Sequence, residues 1–161
     1  MIKVLFICLG NICRSPMAEF IFRDMVEKLG KSDQFLIASV ATSTEEIWNG
    51  VGNPVYPPAK AKLAEHGISC EGKRATLLTK ADYDKYDYLI GMDEMNIRNI
   101  LRMTGGKMLS EGGKVELLLR FAGENKSVAD PWYTGNFDVT YVDIVKGCEG
   151  FIEYLRGKND I

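Results

Sequence analysis

KVLFICLGNICRSP, residues 3–16, decides the fold. Val4 to Ile7 is a short apolar run without polar alternation, which predicts a strand covered on both faces. Ser15-Pro16 predicts a helix entry, with a side-chain cap followed by proline at the first helical position. Ala18, Ile21, Phe22, Met25 and Leu29 then recur at helical spacing until Gly30 ends the run. Between strand and helix lie two cysteines, a glycine, an asparagine and an arginine.

Working outward, a second strand fits Phe35 to Ser39, and residues 40–56, polar and punctuated by Gly and Pro, read as a long loop. Pro57 or Pro58 opens a helix that runs to His66 and stops at Gly67. Thr79 with Asp82 forms a capping pair. Tyr88 to Met92 is a third strand, Glu94 to Met103 a helix closed by Gly105-Gly106, and Val115 to Leu119 a fourth strand. Tyr141, Ile144, Val145, Cys148, Ile152 and Leu155 mark one face of a last helix. This alternation predicts a single α/β domain over residues 1–161. Its four-stranded parallel sheet has Rossmann-like or flavodoxin-like order 2-1-3-4, with helices on both faces. Ligands of such sheets bind beyond the carboxyl ends of the strands, where strand order reverses, and the first strand borders that point.

The 161 residues are 46% hydrophobic and 26% charged, enough to bury a core without staples. Net charge is -2 with no lysine or arginine tract, which argues against a nucleic-acid partner. No apolar run is long enough to span a bilayer. KVLFIC starts almost at Met1 without a charged leader, so no secretory signal is expected. Cys8, Cys13, Cys70 and Cys148 have neither disulfide-scaffold nor zinc-site spacing, and His66 is the single histidine. The expectation is reduced thiols, a cytoplasmic protein, and no metal or other cofactor.

The loop from Cys8 to Ser15 enters a helix N-terminus, where free N–H groups and the helix dipole favour an anion. Gly10 and Asn11 tolerate positive φ, which lets amides turn inward, and Arg14 adds a planar fork for two phosphate oxygens. Leu9, Gly10, Asn11, Ile12, Cys13 and Ser15 would therefore line a cup for a tetrahedral oxyanion. At the mouth of that cup a cysteine is favoured as thiolate, a nucleophile able to attack phosphorus and form a cysteinyl-phosphate. Ser15 can donate to the sulfur. A cysteine ending a strand is more commonly a small buried hydrophobe; the combination with glycine, arginine, serine and proline favours chemistry at Cys8. A leaving oxygen also needs a proton, and Asp130 in the loop after the fourth strand is the candidate acid, although Asp-Pro by itself only starts a turn.

CLGNICRSPMAE at Cys8–Glu19 resembles the active-site loop of the low-molecular-weight protein tyrosine phosphatases, and DPWY at Asp130–Tyr133 resembles their general-acid loop. Residues at Ala38–Ser43, KLAEHGI at Lys62–Ile68 and DYLIGMDEMN at Asp87–Asn96 follow in the expected order, so the resemblance spans nearly the whole chain. It implies metal-independent hydrolysis of phosphotyrosine and small aryl phosphates, with Cys8 as nucleophile, Arg14 as phosphate clamp and Asp130 as acid, then base. It further implies a polar network holding Asn11, with Ser15, Ser39 and His66 as members, His66 being structural rather than an acid or base. Cys13 would match a loop cysteine able to trap Cys8 as a reversible disulfide. Trp132 and Tyr133 could flank a phenyl ring; Trp48 either lines the same mouth or simply packs. The implied partners are a tyrosine-phosphorylated protein and inorganic phosphate as product or inhibitor, for a chain that is mostly monomeric.

Other readings make different demands. A thioredoxin-coupled arsenate reductase needs further cysteines near residues 80–90, and ADYDKYDYL has none. A phosphoarginine phosphatase resembles this chain too, but carries threonine where Ile12 stands and a smaller residue at Tyr133. A phosphate-binding module would need neither Cys8 nor Asp130.

Overall fold

The computed structural model describes all residues, Met1–Ile161. Strand β1 (Ile2–Cys8) leads into α1 (Arg14–Lys28), followed by β2 (Phe35–Ala41), a hairpin of β3 (Ile47–Trp48) and β4 (Val51–Gly52), and α2 (Pro57–Glu65). Then come α3 (Lys80–Lys85), β5 (Tyr88–Gly91), α4 (Glu94–Thr104), β6 (Val115–Leu117), α5 (Pro131–Thr134) and α6 (Phe137–Gly157). The main sheet is four-stranded and parallel in order β2-β1-β5-β6. Leaving aside the hairpin, this is the expected 2-1-3-4 order.

Alternation along β1 divides the core. Val4, Phe6 and Cys8 pack with Met17, Ile21 and Phe22 of α1, Leu63 of α2, and Ile144, Cys148 and Phe151 of α6. Leu5 and Ile7 face the opposite way, against Leu78, Tyr86, and Ile97 and Ile100 of α4. Successive strand side chains point to opposite faces, so a run apolar at every position is the sequence of a strand with a helix layer on each side.

Several local expectations change. Helix α1 begins at Arg14, with Cys13 at the N-cap and no side-chain capping bond. Ser15 lies within the first turn, and its hydroxyl is used by Asn11 and Cys8 instead. Residues 40–56 are not all loop: β2 continues to Ala41, and the β3–β4 hairpin turns at Asn49-Gly50, with φ of 49° and 76°. Asn-Gly is the dipeptide suited to such a turn, because both residues accept left-handed backbone. The fourth strand stops at Leu117, and Leu118–Ala122 tightens into a 3₁₀ turn. The Thr79/Asp82 pair does cap α3, with Thr79 N–H donating to Asp82 Oδ2 at 2.8 Å.

Phe22 is fully buried and meets Phe6, Phe35 and Phe151 at ring-centroid distances of 5.7, 5.3 and 5.4 Å. Phe22→Ala should lower the unfolding free energy by about 3–5 kcal/mol, measured by urea titration, because it leaves a cavity between sheet and helices that rigid neighbours fill poorly.

Candidate active site

Cys8 is the last paired residue of β1, opposite Ala41, at the carboxyl edge of the sheet. The loop that follows is pinned from outside: Thr42 N–H donates to Cys8 O, Ser43 N–H to Leu9 O, and Tyr56 N–H to Ile12 O, at 2.9–3.1 Å. Asn11 adopts φ 59°. Its backbone N–H donates to Cys8 Sγ at 3.3 Å, and Ser15 Oγ lies 3.0 Å from the same sulfur. Gly10 does not share the positive φ. A Cβ there would lie 3.1 Å from Glu46 Cγ and 3.5 Å from Glu45 Oε1, the side chains that approach the loop from that side.

Arg14, 5% exposed, turns its guanidinium to the same edge. Nη1 donates to Val128 O at 3.1 Å, while Nη2 meets Asp93 Oδ2 at 2.8 Å and Asp130 Oδ2 at 3.5 Å. Asp93 also caps α4 by accepting from Asn96 N–H. The acid loop is tied to the sheet by Val128 N–H donating to Met92 O. It is tied to α6 by Ala129 N–H donating to Asp143 Oδ2 and by Thr140 Oγ1 donating to Ala129 O. Asp130 caps α5, accepting from Trp132 N–H at 3.0 Å, with Pro131 at the first helical position. Asp-Pro thus does start a helical turn, and in doing so the cap fixes Oδ1 while Oδ2 remains directed at Arg14.

Cys8, Arg14 and Asp130 line one cleft of about 340 Å³, with Cys8 and Arg14 buried at its base and Trp132 and Tyr133 exposed at its mouth. Leu9, Gly10, Asn11, Ile12 and Cys13 complete the loop side. The Trp132 ring packs on Tyr56 at 4.7 Å. Burial, reinforced by the charge of Cys8, pushes the Cys13 thiol up to about 12. Cys70 and Cys148 are buried apart from the cleft, as core thiols.

Two expected residues lie elsewhere. Trp48 is 79% exposed on β3 and does not line the cleft; Glu45 and Glu46, just before the hairpin, occupy that side. His66 does not join the network around Asn11. It ends α2, where α2 packs on α6, and its ring stacks on Tyr141 at 4.0 Å and 8°. Ser15 and Ser39 do join: Asn11 Nδ2 donates to them at 2.8 and 3.0 Å, and Thr76 N–H donates to Asn11 Oδ1 at 3.1 Å. Asp93, Glu19, Lys73 and Thr76 were missed by sequence reasoning. Asp93 could have been found as the cap of the Glu94 helix; the other three give no local signal.

The Low molecular weight phosphotyrosine protein phosphatase sequence profile matches residues 3–160. The chain is 37% identical to the low molecular weight protein-tyrosine-phosphatase YfkJ of Bacillus subtilis, over all of both chains. The crystal structure of YfkJ superposes with a TM-score of 0.87, covering 98% of this chain and 96% of that one. Identity to the low molecular weight phosphotyrosine protein phosphatase of Sus scrofa is 39%, over 96% of each. A Drosophila arginine phosphatase structure aligns with a TM-score of 0.83 at 27% identity, over 95% of this chain and 97% of that one.

With its thiol pushed to about 12, Cys13 at pH 8 is ionised in about one molecule in ten thousand, against about one in ten at the ordinary value of 9.0. Iodoacetamide at pH 8 should therefore spare Cys13 in the folded protein and label it in urea, as read by peptide mass spectrometry.

Proposed function

The chain belongs to the low molecular weight phosphotyrosine protein phosphatase family, and from that premise we propose that it hydrolyses phosphotyrosine with Cys8, Arg14 and Asp130 as its chemical groups. The observation that carries the assignment is their convergence. A sulfur ending β1, a guanidinium from the first turn of α1 and a carboxylate from residue 130 meet in one cleft.

In this reading the Arg14 fork and the loop amides hold the phosphoryl oxygens, in the manner of charge-assisted bonds at a helix N-terminus. The Cys8 sulfur attacks phosphorus in line with the phenolic oxygen; the S–P bond forms as the P–O bond breaks. Asp130 gives its proton to the departing phenolate. It then takes a proton from a water that attacks the cysteinyl-phosphate, releasing inorganic phosphate and restoring Cys8. Phosphate is thus product and competing ligand. Charge neutralisation by Arg14 and the amides supplies what a metal supplies in other phosphatases, so turnover should persist in EDTA.

Trp132 and Tyr133 at the mouth suit an aromatic ring reaching Cys8 at the base, and Ile12, 7% exposed, gives the cleft an apolar side. Phosphoarginine is the second substrate to compare, on the strength of the likeness to the Drosophila enzyme; a polar residue at position 12 would suit its guanidinium better than isoleucine does. The protein is read as a single domain over 1–161, acting mostly as a monomer in the cytoplasm on tyrosine-phosphorylated protein. No helix is long and apolar enough to cross a membrane.

Cys8→Ser should abolish p-nitrophenyl phosphate turnover in EDTA while vanadate still binds. Full activity in that variant would refute the assignment. Asp130→Ala should slow phenyl phosphate by about 10²–10⁴-fold and p-nitrophenyl phosphate much less, because the better leaving group needs less proton donation.

A further inference from the structure

The hydrogen-bond chain behind Cys8 has a direction, and its two ends set it. Thr76 N–H can only donate, and its bond to Asn11 Oδ1 at 3.1 Å turns the Asn11 Nδ2 group toward two serines. Each serine hydroxyl has one hydrogen. Having accepted from Asn11, each sends that hydrogen elsewhere. Ser39 sends it to Glu19 Oε1, at 2.6 Å. Ser15 has Cys8 Sγ at 3.0 Å, so the sulfur is its acceptor.

At the far end stands a carboxylate, which accepts and does not donate. Glu19 is 3% exposed and does not touch the cleft. Its charge is answered by Arg23 Nη2 at 2.8 Å from the same helix and Lys73 Nζ at 3.6 Å from the segment before α3. Lys73 also donates to Ser39 O at 2.7 Å, so it grips both the carboxylate and the strand that carries the serine. Burial pushes the Lys73 ammonium down, opposed by the Glu19 charge. Around the sulfur itself the charged or titratable neighbours are Arg14, Cys13 and Asp130 in the cleft, and Lys73, whose ammonium is favoured in turn by the charge of Cys8. An ion pair of this kind is costly to bury unless further hydrogen bonds hold its members, as the Ser39 hydroxyl and carbonyl do here.

We propose that Glu19 is a positioning residue: through Ser39 and Asn11 it fixes the direction of the chain, so that the Ser15 hydroxyl points at the Cys8 sulfur, with Lys73 clamping the Glu19–Ser39 end. The inference rests on Cys8 being the nucleophile. Without an acceptor at position 19, the Ser39 hydrogen turns toward Asn11 and opposes the Nδ2 hydrogens. Asn11 then shifts, Ser15 loses its donor, and its hydroxyl is free to rotate off the sulfur. The sulfur's ionised form loses a hydrogen bond, while the protonated form loses little.

The test is the rate at which iodoacetamide alkylates Cys8, followed by peptide mass spectrometry at pH 6 and pH 9; Cys13, pushed up to about 12, stays out of the reading. Glu19→Leu combined with Lys73→Met, which leaves no lone buried charge, should slow alkylation about tenfold at pH 6 and match wild type at pH 9. Glu19→Gln, whose carbonyl still accepts, should lose only about threefold at pH 6, and this graded rescue decides the matter if the double variant melts below the assay temperature. Wild-type rates at pH 6, or equal slowing at both pH values, would overturn the proposal and leave Glu19 as a packing residue. Should the wild-type protein fail to turn over p-nitrophenyl phosphate, the mechanism above falls while the alkylation comparison still reads the proton chain.

Discussion

The side chain of Asn11 is the constraint on which the site depends. A non-glycine residue at φ 59° costs about 1 kcal/mol, less for asparagine than for branched residues. Against that stand its side-chain bonds to Ser15, Ser39 and Thr76, each worth about 0.5–1.5 kcal/mol in a dry interior. The bonds win, and the loop is held in the shape that turns the Asn11 backbone N–H toward the Cys8 sulfur. With that twist released, the loop would keep only its outer bonds to Thr42, Ser43 and Tyr56, and nothing would aim the Asn11 N–H at the sulfur.

The second constraint is electrostatic. Arg14 is almost wholly buried, and moving a guanidinium out of water costs several kcal/mol unless its donors are met. Asp93, Asp130 and the Val128 carbonyl meet donors of Nη1 and Nη2, and each comes from a segment at the carboxyl edge of the sheet. The guanidinium is thereby aimed before any phosphate arrives, and Asp130 is brought beside it. Holding groups in place in advance is how a rigid scaffold contributes to catalysis without moving. The capping roles of Asp93 and Asp130 show how it is done: each carboxylate uses one oxygen to cap the start of a helix and the other to reach Arg14.

Much of this was legible along the chain. The unbroken apolar run of β1 announced two helix layers, because only a strand covered twice can be apolar at every position. The glycine, asparagine, arginine and serine of the loop announced an anion cup by residue type alone. The misplacements share a cause: they assumed that position along the chain predicts direction in space. Trp48 sits in a turn-bearing hairpin whose Asn-Gly signal was present, and the hairpin carries the ring away from the cleft while Glu45 and Glu46 take its side. His66 lies in a stretch that resembles the family, yet the helix it ends carries it to Tyr141.

By itself, then, the sequence determined the alternation of strands and helices, the identity of the loop and the types of group the chemistry requires, because periodicity and local backbone preference are properties of neighbouring residues. Only the tertiary structure decided which distant groups complete the site: Asp93 and Val128 on the guanidinium, Thr76 on Asn11, Glu19 and Lys73 behind Ser39. Those pairings join residues far apart in sequence and depend on how the strands bring their ends together. A buried polar atom takes whichever partner packing places within hydrogen-bond reach, and nothing in its neighbours along the chain reveals which one that is.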